Sequence, residues 1–126
     1  MTREPPSIAR LRARLVAQVA PPLAVSERGQ QYVFDEEHAA YNEIDIKRGD
    51  DFVIAVVLGS LPSEAFVVKV WHRYASEVWL VDTRDEQVYV AQRDEAWRVL
   101  GRGDTLRSDA VPAVAIPIAG LFVLPS

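Results

Sequence analysis

Three features of the chain predict an α/β fold in which helices flank a mixed central sheet. An amphipathic stripe opens it: Ile8, Leu11, Leu15 and Val19 recur at helical spacing, with arginines on the opposite face. A nearly continuous apolar run, Phe52 to Leu58, suits a central strand buried on both faces. Two short apolar segments, Val78 to Asp82 and Gln87 to Ala91, flank the polar turn Thr83-Arg84-Asp85-Glu86 and read as a hairpin.

The elements follow in order. The first helix spans about Ser7 to Val19, with Pro5-Pro6 before it and Pro21-Pro22 after it, because proline lacks an N–H and clashes inside a helix. Its face of Arg10, Arg12 and Arg14 reads as solvated. Residues 1–24 are therefore a helix and Pro-rich linker, and residues 30–126 the core of a single domain. Gln31 to Asp35 is a candidate strand, and Asn42 to Lys47 a second. In that second strand Ile44 and Ile46 face one side and Glu43, Asp45 and Lys47 the other, since side chains alternate with period 2. After the buried strand, Ser60 and Pro62 can cap and start a helix over Ser63 to Ser76 whose Phe66, Val70 and Tyr74 face the sheet. A third strand from Ala96 to Leu100 extends the hairpin, with a turn at Gly101 to Asp104. The apolar stretch Ala113 to Phe122, broken by Pro117 and Gly120, packs back on the sheet.

Composition narrows the function. At 126 residues, 49% hydrophobic and 25% charged, the chain has room for one globular core. The absence of cysteine excludes a disulfide framework, a thiolate zinc site and a cysteine nucleophile. Arg10, Arg12 and Arg14 interrupt the only candidate signal sequence, and no run of about 18 apolar residues exists to span a membrane, so a cytoplasmic protein is expected. The net charge of −4 divides unevenly: residues 1–34 carry five basic and two acidic side chains, the remainder nine basic and sixteen acidic. That balance argues against binding driven by phosphate contacts alone. His38 follows Asp35-Glu36-Glu37, but no second histidine lies at ligand spacing, so this reads as a solvated acidic loop. Trp71, His72 and Arg73 beside Lys69 offer stacking and charge to a nucleic acid, although Trp71 reads equally as core or a dimer contact.

Four segments, in order, resemble one family. Asn42-Glu43-Ile44-Asp45-Ile46-Lys47-Arg48 is similar to an "EPDV" strand, and Phe52 to Leu58 to the "LVVEVLS" strand that follows it. Val78-Trp79-Leu80-Val81-Asp82 with Gln87-Val88-Tyr89-Val90 resembles a "YWLVDP…V.V" hairpin, and Leu106 to Phe122 an "L.S..LPG..LPLAELF" ending. Over roughly residues 40–126 the chain thus resembles the Uma-type restriction endonuclease family of the PD-(D/E)XK nuclease superfamily, with a shortened N-terminal region. The resemblance implies a restriction-endonuclease-like fold and divalent-metal-dependent cleavage of DNA phosphodiesters. In such chemistry a magnesium ion held by carboxylates polarises the phosphate and lowers the pKa of the attacking water, and a nearby lysine orients that water or stabilises developing charge.

Carried over residue by residue, Asp45 matches the first carboxylate and Lys69 the helix lysine, so these two are the implied catalytic residues. The second carboxylate falls near Ala55 or Val56, neither of which can bind a metal, and no acidic residue lies between Asp51 and Glu64. Glu43, beside Asp45, or Glu64 would have to substitute. The implied metal ligands are thus Asp45 and Glu43, with magnesium as the cofactor of an active protein. Two functions follow: a DNA endonuclease with an incomplete metal site, or a non-catalytic descendant of that fold kept as a binding or assembly module. A homodimer is the expected assembly, since this fold often pairs to address two strands.

Overall fold

A computed structural model describes residues 5–26, 29–33, 36, 39–61, 64–92 and 97–122. The first helix, α1 (Pro6–Gln18), buries Ser7, Ile8, Leu11 and Leu15, and Val19 closes it by donating its N–H to Leu15 O at 2.8 Å. The arginine face is not simply solvated. Arg10 Nη1 donates to Leu121 O at 3.0 Å and Arg12 Nη2 to Glu43 O at 2.7 Å, while Arg14 is exposed. Two of the three guanidinium groups therefore tie the helix to distant parts of the chain.

The segment expected to be a linker contributes a strand, β1 (Leu23–Val25). A small hairpin follows, β2 (Gln30–Val33) with β3 (Ala39–Asn42), then β4 (Ile44–Arg48) and β5 (Asp51–Leu58). The expected single strand from Asn42 to Lys47 is thus divided at Glu43, which leaves Asn42 at the end of the hairpin and starts β4 at Ile44. Helix α2 (Ala65–Trp71) leads to the hairpin β6 (Glu77–Asp82) and β7 (Gln87–Gln92), and then β8 (Arg98–Leu100). A two-stranded ribbon, β9 (Thr105–Arg107) with β10 (Ala115–Pro117), and a 3₁₀ turn at Ile118–Gly120 follow. The six-stranded sheet has the order β1-β4-β5-β6-β7-β8, with β5 and β6 parallel and every other pair antiparallel.

Period-2 alternation sorts the side chains onto two cores. Ile44, Ile46, Ile54, Val56, Trp79, Val81, Val88 and Val90 pack beneath α1 and the C-terminal ribbon, which adds Leu106 and Ile116, and the 3₁₀ turn adds Ile118. On the other face, Ala55, Val57, Val78 and Leu80 meet Val68, Val70 and Trp71 of α2 and Ala75 just beyond it. Each aliphatic side chain fully withdrawn from water stabilises the fold by roughly 1.5–3 kcal/mol.

Helix α2 differs from expectation in length and in facing. It has seven residues, Glu64 is its N-cap without a side-chain hydrogen bond, and Pro62 and Ser63 lie outside the described residues. Val68, Trp71 and Ala75 turn inward at i, i+3 and i+7, whereas Phe66 and Tyr74 stand outside, 54% and 41% exposed. The reason is the indole: Trp71 lies fully buried against Phe52 and Tyr32, with ring centroids 4.9 Å and 5.2 Å away, and that packing fixes the helix's rotation. At the β6–β7 turn the expectation holds. Asp82 Oδ1 accepts the N–H groups of Arg84 and Asp85, each at 3.0 Å, and Glu86 takes a left-handed φ of +54°.

Candidate functional site

Asp45 is the second residue of β4, between Ile44 and Ile46, which anchor in the α1 core and turn its carboxylate to the α2 face. It is 1% exposed. Tyr32, reaching across from β2, donates its hydroxyl to Asp45 Oδ2, and Asn42 donates its amide to Oδ1. The same amide donates to Ile44 O at 3.0 Å, while Asn42 Oδ1 is buried with no hydrogen-bond partner among the described residues. Around the backbone, Asp45 N–H donates to Ser26 Oγ at 2.8 Å and Ser26 N–H to Asp45 O at 3.0 Å. The carboxylate therefore ties the β2–β3 hairpin to β4, and the Asp45 backbone holds Ser26, just after β1.

A cavity of about 210 Å³ adjoins it, lined among the described residues by Ala24, Val25, Ser26, Tyr32, Asp45, Lys47 and Gly49. A register shift between Ile46 and Lys47 brings Lys47 opposite Phe52, and its Nζ sits 4.9 Å from the centre of that ring. Burial pushes the Asp45 carboxyl above the usual aspartate range; the Tyr32 hydrogen bond and the Lys47 charge pull the other way without cancelling it. Burial, then the hydrogen bond and charge of Asp45, hold the Tyr32 phenol well above its ordinary value.

The other residues implied by the resemblance, Glu43 and Lys69, do not line this cavity. Across the β4–β5 ladder, the partner of Asp45 is Ala55. Glu43 sits in the bend between β3 and β4, half-buried; its N–H donates to Val56 O at 2.7 Å and its carbonyl accepts Arg12. Lys69 is exposed on α2 between buried Val68 and Val70. Neither Glu43 nor Lys69 is among the described residues lining the Asp45 cavity; the cation there is Lys47. Glu64 lies over Gly59 at the end of β5. His38 falls outside the described residues.

A resident magnesium ion needs several converging oxygen ligands. Among the described residues, no three His, Cys, Asp or Glu side chains form such a group. Asp45 is the only carboxylate among the described cavity residues, and both its oxygens already accept hydrogen bonds. Lys47 adds like charge against a cation. This donor set does not fit the metal.

Reading the sequence missed Tyr32, Asn42 and Ser26. In an unbroken strand, Asn42 and Asp45 would point to opposite faces, and only the break at Glu43 lets them meet. Tyr32 and Ser26 reach Asp45 from other strands, which no local pattern announces. It also missed Glu77, 1% exposed on the opposite face of the sheet. Glu77 Oε2 accepts Ser108 Oγ and the N–H of Ala110, the latter at 3.1 Å, and Oε1 accepts Trp79 Nε1 at 3.4 Å. That carboxylate pins the segment after β9 to the start of β6.

No helix among the described residues is long and apolar enough to cross a membrane. No family model matches the sequence, and no curated protein matches it significantly. Among solved structures, the chain is similar to a protein from Anabaena variabilis described as "a putative nuclease belonging to DUF820". The two share 10% sequence identity and superpose with a TM-score of 0.66 over 97% of this chain and 82% of the other. At that identity the likeness is one of fold: a mixed α/β sheet with helices on its faces.

Proposed function

We infer that the chain is a nuclease-fold protein that does not cleave phosphodiesters through a resident metal, and that it works as a binding or assembly module. One observation carries this reading. The carboxylate that the resemblance equates with a metal ligand faces Ala55 across the ladder and spends both oxygens on Tyr32 and Asn42. Replacing a carboxylate at position 55 by a methyl removes the cost of burying a second charge once no cation must be held. Asp45 then serves as a buried acceptor that fastens the hairpin to the sheet.

The fold it shares with a putative nuclease supports the competing reading, in which Asp45 and Glu43 hold magnesium and Lys69 assists cleavage of DNA. The test is incubation of the protein with supercoiled plasmid and with single-stranded DNA in magnesium, then manganese, beside Asp45→Ala and Lys69→Ala variants. No metal-dependent cleavage is expected, and no rise in melting temperature with either metal, because only a ligand that binds the native state raises it. Cleavage that needs the metal and disappears in both variants would overturn the inference and establish the enzymatic reading.

A further inference from the structure

A second cavity, of about 360 Å³, lies where β6 starts and β7 ends, and it shares no described residue with the one beside Asp45. Ser76, Glu77, Gln92, Asp109 and Ala110 line it. Glu77 and Gln92 are direct partners across the β6–β7 ladder, and the segment 108–110 is bonded to both. Val111 N–H donates to Ser108 Oγ at 3.0 Å, which leaves the Ser108 proton for Glu77 Oε2; Ala110 N–H donates to the same oxygen. Gln92 Nε2 donates to Asp109 Oδ2 at 2.7 Å. The walls therefore hold one another in place, which lowers the ordering cost of binding.

The wall lacks positive charge. Glu77 is 1% exposed, and a carboxylate that far from water is ordinarily paired with a cation. Its partners here are a hydroxyl, a backbone N–H and the Trp79 indole, whose Nε1 stands 3.4 Å from Oε1. No lysine, arginine or histidine is among the described residues lining the cavity. Gln92 spends its amide N–H on Asp109 and keeps Oε1 as a further acceptor. Two negative charges and an amide oxygen thus meet at one cavity, and the donors around Glu77 are already used within the wall.

We propose that this cavity binds a small organic cation through a guanidinium or ammonium group. Glu77 Oε1, the Asp109 carboxylate and Gln92 Oε1 take its N–H groups, and the cation supplies the counter-charge that the buried carboxylate lacks. The volume falls within the range of small-molecule sites, about 300–1,000 Å³. A divalent metal fits worse, since it needs about six oxygen ligands. Among the described residues, no three His, Cys, Asp or Glu side chains form a group to hold one. The inference goes beyond the binding-module reading and does not depend on it, because no residue of the Asp45 cavity takes part.

The experiment is a titration of the nitrogen-15-labelled full chain with butylguanidinium, followed by amide chemical shifts. Butylurea, its uncharged counterpart, and magnesium and calcium chlorides are titrated beside it. Butylguanidinium should give saturable shifts at Ser76, Glu77, Gln92, Asp109 and Ala110 within about 10 mM, and the other three none. Glu77→Gln should weaken binding by about tenfold or more, the loss of a hydrogen bond to a buried charge. Asp109→Asn, at an exposed position, should weaken it about two- to fivefold. If Glu77→Gln does not fold, Asp109→Asn and the butylurea comparison decide the matter.

No saturable shift, equal shifts from butylurea, shifts confined to residues elsewhere, or affinity unchanged in Asp109→Asn would each overturn the proposal. Shifts of these amides by magnesium or calcium would overturn it in favour of a metal. A capped Gly-Arg-Gly peptide that binds more tightly than butylguanidinium would overturn the assignment to a small molecule and point to an arginine of a partner chain.

Discussion

Asp45 and Ala55 are partners across the β4–β5 ladder, so a carboxylate faces a methyl group on the α2 side of the sheet. Among the described residues, Tyr32 and Asn42 donate hydrogen bonds to this carboxylate, and Lys47 lends it an opposite charge. Asp45 therefore behaves as a structural acceptor, and that role has measurable consequences.

Asp45→Ala takes away the acceptor of the Tyr32–Asp45 hydrogen bond and one acceptor of the Asn42 amide, which keeps its bond to Ile44 O. Loss of a buried hydrogen-bond partner costs about 1–3 kcal/mol, so urea unfolding should show a loss on the order of 1–3 kcal/mol. A change of less than about 0.5 kcal/mol, the range usual for uninvolved surface positions, would mean that the carboxylate does not hold the hairpin.

The same group gives a pH signature. Its folded pKa is raised by burial, so the folded state holds this proton more tightly than the unfolded chain. The stabilisation is full below the unfolded value, about 3.9, and is lost as pH rises through the higher folded value. The stability of the native sequence minus that of Asp45→Asn should therefore fall as pH rises from about 4 towards neutrality. The subtraction removes the other carboxylates, and a difference that grows with pH would contradict the burial of this group.

Arg12 links α1 to the entry of β4 through the carbonyl of Glu43. Hydrogen bonds from charged donors contribute about 1.5–3 kcal/mol, so Arg12→Met should destabilise the fold by about 1–2 kcal/mol once its retained packing is allowed for. Arg14→Met, on the exposed face, should stay within about 0.5 kcal/mol. Equal effects at the two positions would remove the tether from the account.

Gly59 follows β5 with φ +153°, and a Cβ there would run into the Glu64 side chain. Gly59→Ala should cost about 1–3 kcal/mol from backbone strain and more from the contact. Adding Glu64→Ala should return only the contact part, so thermal melts of the two single variants and the double variant should show non-additivity. Strict additivity would show that the two residues do not meet.

Much of the fold is legible in the sequence because its signals are local. The α1 stripe, the apolar β5 run and the β6–β7 hairpin each satisfy a periodicity within one segment, and the structure places them within a residue or two. The edge strand β1 is not legible: three residues beside a Pro-Pro pair carry no pattern, and they become a strand only because β4 offers them unpaired backbone groups. Helix α2 is legible in position but only in part in rotation: Val70 is buried as expected, whereas Phe66 and Tyr74 stand outside and Val68, Trp71 and Ala75 turn inward. The three-ring cluster that Trp71 forms with Tyr32 and Phe52 selects the rotation.

The candidate site divides in the same way. From the sequence alone came Asp45 on the polar side of a strand flanked by isoleucines, and the absence of an acidic residue where a second ligand belongs. Alternation and residue chemistry suffice for both. That Asp45 is buried, that Tyr32, Asn42 and Ser26 surround it, and that Lys47 rather than Lys69 lines its cavity were decided by the tertiary structure. Those contacts join strands through register, a break at Glu43 and a bulge after Ile46. Such geometry arises only when distant segments pack together, which no local period encodes.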